Sequence, residues 1–269
     1  MQNDKQGLVP QDEQSASRPD GPIARPERQS STELLPRRLI VNADDFGQSA
    51  GINEGIIRCH ERGILTSASL MVRWPDALAA AKYARADPAL SVGLHIDFGE
   101  WSYQNGEWVL LYEVMPNEEP TEIRAEVVRQ LELFQRLIGS TPTHLDSHQH
   151  VHRHIPFDQI VAELGATLGV PVRQQSAIVR YVGSFYGQGG RGESLDGAIT
   201  VERLIGILRA LPPGTTEVGC HPGLGTDAQG MYVAEREQEV NALCDPRVRA
   251  ALDAEDIQLI SFRDLAPGG

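Results

Sequence analysis

Blocks of apolar residues alternate with polar segments along most of the chain, and each block carries the period of a strand or a helix. Arg38–Ala43 is a short apolar run that predicts a buried strand. Ser49–Arg62 places Ile52, Ile56, Ile57 and His60 at helical spacing, with Ser49 as an N-cap and Gly63 as the stop. Leu65–Val72 reads as a second strand, Asp76–Ala86 as an alanine-rich helix and Leu90–Ile96 as a third strand. Asp97–Asn117 has no clear period. Thr121–Ile138 is strongly amphipathic: Ile123, Val127, Leu131, Phe134 and Leu137 share one stripe, Thr121 can cap it and Gly139 can end it. A short strand over Thr143–Asp146 follows, then a helix over Phe157–Leu168 and a strand over Val170–Gln174. Gly183–Asp196 is glycine-rich and reads as a mobile loop. Thr200–Leu211 predicts a helix capped by Thr200, Thr215–Cys220 a strand, Ala234–Cys244 and Arg247–Ala254 helices, and Ile257–Phe262 the last strand.

Strands and helices therefore alternate about seven times, which predicts an α/β fold of parallel βαβ units, wound as an open sheet or a barrel. Residues 1–36 are rich in Gln, Ser, Pro, Asp, Glu and Arg and bury too little apolar surface to offset their ordering entropy. They are expected to be a disordered tail, leaving one domain over 37–269.

The polar segments hold the chemistry. Thr143–His154 reads T-H-L-D-S-H-Q-H-V-H-R-H and contains five of the eight histidines. Imidazoles beside carboxylates are the commonest sequence trace of a metal centre. Asn42-Ala43-Asp44-Asp45-Phe46-Gly47 follows the first strand, His95 ends the third, and His221-Pro222-Gly223 follows Thr215–Cys220. In α/β folds, sites form at the carboxyl ends of strands, so these four stretches are expected to meet at one metal site. At a strand end both Asp44 and Asp45 can face one cleft, although Asp, Asn and Gly are also ordinary turn formers. In the histidine run, His148, His150 and His152 share a face if extended, and His148 and His152 do so if helical. Asp146 can orient a ligand histidine by accepting its free N–H. Arg173 ends a strand, where it can orient a carboxylate, meet an oxyanion or form a surface ion pair.

Composition narrows the partners. A net charge of −13 and a pI near 5.0 give no basic footprint, which disfavours nucleic acid and anionic membranes as partners. No apolar run approaches the ~18 residues of a spanning helix, and the start lacks a secretory h-region. The three cysteines show no zinc or disulfide spacing and read as reduced, buried thiols of a cytoplasmic protein. No G-x-S-x-G elbow or phosphate-binding loop appears, and Gly187–Gly190 does not fit a dinucleotide fingerprint.

The motifs Leu39-Ile-Val-Asn-Ala-Asp-Asp-Phe-Gly47, Gly63-Ile-Leu-Thr-Ser67, Val92-Gly-Leu-His95, Pro142-Thr-His-Leu-Asp-Ser-His-Gln-His-Val-His152 and Cys220-His-Pro222 resemble those of the YdjC-like carbohydrate deacetylases, which include chitooligosaccharide deacetylases. The resemblance runs from about Arg37 to Leu265. It implies a (β/α) barrel-like domain similar in architecture to NodB-type deacetylases, hydrolysis of an N-acetyl group from an amino sugar, and a homodimer. By it, Asp45, His95 and His148 hold one divalent metal, Mg²⁺ or Zn²⁺, Asp44 is the general base and His221 the general acid. His150, His152, Asp146 and Arg173 are left to touch substrate or support the ligands. Ile96-Asp97-Phe98-Gly99 departs from the family pattern beside the expected substrate, and the aromatics between 101 and 112 can offer flat faces to a sugar ring. Two other readings use the same residues: a metal-dependent phosphoesterase or amidase, and a non-catalytic, metal-stabilised carbohydrate-binding module.

Overall fold

The computed structural model describes residues 35–115, 119–225, 227 and 230–265. Of the predicted tail, residues 1–34 lie outside the described residues. The central strand β1, Arg37–Phe46, is apolar on both faces: Leu39, Ile40, Val41 and Ala43 are all buried. A strand covered on both sides is what a parallel sheet sandwiched by helices requires. Parallel to β1 run β2 (Ser67–Leu70), β3 (Ser91–Ile96), β6 (Leu145–Ser147), β7 (Val179–Val182) and β8 (Gly214–Cys220), in the order β6-β3-β2-β1-β8-β7. A short strand β9, Ile257–Leu259, pairs with Arg37–Leu39 of β1.

The sheet is rolled. Asp146 on β6 and Glu217 on β8 lie four strands apart, which in a flat sheet is about 19 Å at ~4.8 Å per strand. Both nonetheless touch the same nitrogen of Arg173, at 2.8 and 2.7 Å. The strands thus form a barrel-like wall, as expected, with its carboxyl ends converging.

Among the described residues seven helices cover it: α1 (Ala50–Arg62), α2 (Ala77–Ala86), α3 (Pro120–Ile138), α4 (Phe157–Leu168), α5 (Val201–Arg209), α6 (Ala234–Leu243) and α7 (Pro246–Ala254). Ser49 caps α1 by accepting the Ile52 N–H at 3.2 Å, and Thr200 caps α5 through the Arg203 N–H. α3 buries Ile123, Val127 and Phe134 and stops at Gly139, whose φ is +86°. Burying a phenylalanine such as Phe134 contributes about 2–3 kcal/mol. Thr121 is not the cap of α3: the helix begins at Pro120, whose fixed φ suits a first turn.

Three further expectations are corrected. Asp97–Asn117 is not periodless loop; over its described part it forms an antiparallel hairpin, β4 (Gly99–Gln104) and β5 (Glu107–Glu113), turned at Asn105-Gly106. Much of β5 faces solvent on both sides, so no alternation marks it. Val170–Gln174 is not a strand. Only Val172 bridges to Leu145 before the chain turns, and the next strand is β7. The final strand also ends early, at Leu259, and Phe262–Asp264 is a short 3-10 turn.

Candidate active site

Asp44 and Asp45 lie within the last three residues of β1, not beyond its end. The register between β1 and β2 slips between Ala43 and Phe46, and Asp45 takes a left-handed φ of 66°. Such a bulge lets successive side chains face one side instead of alternating. Both carboxylates point to the rim and both are buried. Gly47 completes the bend at φ +94°; a Cβ there would lie 3.0 Å from the Ala77 backbone.

Asp45 Oδ1 faces His148 Nδ1 at 3.1 Å and His95 Nε2 at 3.5 Å. Ligands ~2.1 Å from a common cation stand ~3.0–3.4 Å apart in octahedral or tetrahedral geometry, so these separations suit a divalent ion. One carboxylate oxygen and two imidazole nitrogens are also a fitting donor set. His95 Nε2 is buried with no hydrogen-bond partner among the described residues, which is the orphaned polar atom that a cation would satisfy. His95 Nδ1 donates to Asp146 Oδ1 at 2.8 Å.

Burial opposes a charge on either ring, but neighbouring acids outweigh it. Asp146 and Asp44 raise His95 to about 9. The hydrogen bond with Asp45 and the nearby Glu100 carboxylate raise His148 to about 10. Without a cation, each imidazole therefore holds a proton. A second trio, Asp44, His95 and Asp146, is also close, but Arg173 already fills it.

Arg173 is the buried hub of the site rather than a surface ion pair. Its guanidinium forks onto both oxygens of Asp44 at 2.7 Å, reaches Asp146 and Glu217, and lies 4.8 Å over the Tyr181 ring. Burial raises Asp44, but Arg173 and His95 outweigh it and keep the group ionised. Glu217, where burial dominates, is pushed up to about 7. Three acids around one guanidinium explain that difference: the cation cannot fully compensate all of them.

His221 directly follows β8. Its Nε2 lies 3.6 Å from Asp44 Oδ2, and its ring packs at a steep angle against the stacked pair of Tyr186 and Tyr232. Burial lowers it to about 4, against the pull of Asp44 and Asp45. It is neutral at neutral pH, not a ready-made acid.

The histidine run is neither extended nor α-helical. His148–Arg153 is a broken 3-10 turn in which Gln149 and His150 have φ of 50° and 54°. This separates the histidines. His148 meets Asp45, while His150 lines the cavity beside Tyr181, its Nε2 3.5 Å from the phenol oxygen. His152 turns away from the cavity. Its Nδ1 accepts from Ser147 Oγ and its Nε2 donates to the Arg173 carbonyl, so it braces the arginine's backbone.

The rim encloses a cavity of about 660 Å³ lined by Asp44, Asp45, His95, His148, His221 and Trp108 among others, within the ~300–1,000 Å³ usual for small ligands. Two of its charged side chains went unrecognised in the sequence. Glu100 comes from β4, and Arg236, on α6, donates to Asp45 Oδ2 at 2.6 Å and to the His221 carbonyl. The available signal for Arg236 was α6 itself: Ala-Glu-Arg-Glu-Gln-Glu-Val-Asn-Ala-Leu has no apolar stripe, so a packed α6 must bury charge against charge.

Together, the rolled parallel sheet and the buried cluster at its rim define a barrel-like α/β protein whose acids and imidazoles could hold a metal ion. Sequence comparison makes this more particular. The chain belongs to the family described as YdjC-like protein, whose profile matches residues 38–254. It is 33% identical over 251 residues to a carbohydrate deacetylase of Geobacillus stearothermophilus, covering 86% of this chain and 98% of the relative. It is 31% identical over 263 residues to a chitooligosaccharide deacetylase of Serratia marcescens, covering 86% and 100%. Among solved structures, a protein of Enterococcus faecalis provisionally described as cleaving cellobiose-phosphate superposes with a TM-score of 0.70 at 24% identity, over 86% of this chain and all of that one. A family 4 carbohydrate esterase of Streptomyces lividans, solved with acetate, superposes at 0.52 and 13% identity, over 86% and 98%. These two likenesses concern the fold.

Proposed function

We propose that the chain is a metal-dependent hydrolase that removes the N-acetyl group from an amino sugar or small glycan. The observation that carries this reading is the single oxygen, Asp45 Oδ1, facing His95 Nε2 and His148 Nδ1 inside a cavity beside Asp44 and His221. The kinship with carbohydrate deacetylases supports it.

Asp45, His95 and His148 would hold the metal. When bound, a divalent cation would polarise the acetamide carbonyl and acidify a water. Two imidazole donors favour Zn²⁺ over Mg²⁺. Asp44 stays ionised beside Arg173 and accepts the proton of the attacking water. Arg173 holds that carboxylate at a fixed angle through two parallel bonds. His221, neutral and 3.6 Å from Asp44, receives the proton from it and delivers it to the departing amine. Its role as the acid thus begins after Asp44 has acted. His150 and Tyr181 on the cavity wall contact the substrate, and Trp108 at its mouth offers an apolar face to a sugar ring. The substrate is an uncharged or weakly charged glycan rather than a nucleic acid, and the protein works in the cytoplasm as a homodimer. Among the described residues, no helix is long and apolar enough to cross a membrane.

The test is acetate release from N-acetylated mono- and oligosaccharides by chelator-treated protein, with and without added Zn²⁺ or Mg²⁺. Metal-dependent acetate release is expected. Phosphate release from sugar phosphates without acetate release would replace this reading with the phosphoesterase. Unchanged sugars, despite bound metal, would leave a binding module.

A further inference from the structure

We propose that Glu100 is the positioning residue behind His148, the counterpart of Asp146 behind His95. The inference rests on the metal reading of the site.

The two candidate ligand rings are used in opposite senses. His95 presents Nε2 to Asp45 and turns Nδ1 to Asp146. His148 presents Nδ1 to Asp45 and turns Nε2 to Glu100 Oε2, 3.7 Å away. Both His148 Nε2 and Glu100 Oε2 are buried, and neither has a hydrogen-bond partner among the described residues. A neutral imidazole that gives its Nδ1 lone pair to a cation keeps its proton on Nε2. That N–H would be a buried donor with Glu100 as its facing acceptor. A hydrogen bond needs ~2.7–3.2 Å, so the pair lies within an ångström of closing. Metal-bound histidines commonly have such a carboxylate behind them, fixing tautomer and ring angle.

Two further features aim Glu100. Gln149, next to His148, hydrogen-bonds through its side-chain amide to both backbone groups of Trp101, next to Glu100. The N–H of Trp101 donates to Gln149 Oε1 at 3.0 Å, and Gln149 Nε2 donates to the Trp101 carbonyl at 2.8 Å. The hairpin and the His148 turn are thereby held in register. On the other side, Gly230 has no Cβ where one would lie 2.0 Å from Glu100 Oε1. The β4–β5 hairpin is thus part of the metal site's support.

The experiment is titration of metal-free protein with Zn²⁺ alone, following affinity, with Co²⁺ absorption as a probe of ligand geometry. Glu100→Ala is expected to weaken Zn²⁺ binding about 10- to 100-fold and to shift the Co²⁺ spectrum. Glu100→Gln keeps an acceptor without the charge and should lose less. Native-like Zn²⁺ affinity in Glu100→Ala, alongside lost binding in Asp45→Ala, would overturn this inference alone. If Glu100→Ala fails to fold, native-like affinity and Co²⁺ spectrum in Glu100→Gln would overturn it. A native chain that takes up no Zn²⁺ would overturn both this inference and the functional reading.

Discussion

The Arg236 guanidinium lies 2.6 Å from Asp45 Oδ2, and this contact decides which oxygen of Asp45 is left for a cation. The same side chain donates to the carbonyls of Tyr232 and His221. It therefore fixes α6, the proposed metal ligand and the proposed proton carrier in one geometry. Lysine has one nitrogen and cannot span these three acceptors. Arg236→Lys is expected to weaken metal affinity about tenfold and to lower kcat as well. Arg236→Ala leaves Asp45 without its cation and should destabilise the fold by about 3–5 kcal/mol. Metal titration and urea unfolding measure the two effects. A native metal affinity in Arg236→Lys would show that Asp45 is held by its backbone alone.

The two neighbouring acids should separate cleanly by variant. Asp45→Ala and His148→Ala are expected to lose stoichiometric metal together with activity. Asp44→Asn is expected to keep its metal and to lose about 10²–10⁴-fold in turnover. Arg173 still has Asp146 and Glu217 as partners in that variant, so the site should hold its shape. Elemental analysis beside acetate release distinguishes the outcomes, and metal loss in Asp44→Asn would reverse the assignment.

How much of this was legible before folding differs by element. The βαβ alternation, α1 with its Ser49 cap and the clustering of Asp44, Asp45, His95 and His148 at one rim all follow from local patterns. Those patterns sit on strands buried on both faces, where apolar runs are unambiguous. The β4–β5 hairpin was not legible because Trp108, Val109, Leu110 and Leu111 are an unbroken apolar run on a strand exposed on both sides. Val170–Gln174 reads as a strand, but Arg173 is pulled inward by three acids and the chain turns there instead. Partners such as Arg236–Asp45 are 191 residues apart, and no local period encodes them.

Six histidines pull the pH dependence of the metal-free chain in two directions. His144, His150, His152 and His221 have values lowered to between about 3 and 4, burial being the first cause in each. The unfolded chain binds protons there more readily, so stability falls as pH drops below the ordinary 6.5. His95 and His148 are raised to about 9 and about 10. Their contribution is fully present below 6.5 and is lost as pH rises through 9 and 10. Stability without metal should therefore peak near pH 6–7. Added Zn²⁺ should displace protons from His95 and His148 and flatten the alkaline side. Urea midpoints from pH 4 to 10, with and without Zn²⁺, test this. An alkaline limb unchanged by metal would argue against those two rings as ligands.

Cys59 on α1 and Cys244 at the end of α6 bring their sulfurs to 3.9 Å, although 185 residues separate them and their spacing marked no pair. Cys59 is buried and Cys244 is partly exposed. As a thiol Cys244 donates to Cys59 Sγ; once ionised it accepts from Cys59 instead, and that hydrogen bond lowers it to about 7, with Arg58 and Arg62 adding to it against its burial. Its thiolate therefore forms as pH rises through 7, and the thiolate is the nucleophile. Iodoacetamide at pH 7.5 is expected to modify Cys244 first, with Cys59 and Cys220 following only on unfolding. In Cys59→Ser the donor is a hydroxyl of different reach, and the alkylation midpoint should move upward. Mass spectrometry of the labelled peptides reads both results. Equal labelling of all three cysteines in the folded chain would mean that α1 and α6 do not enclose Cys59 as the structure places it.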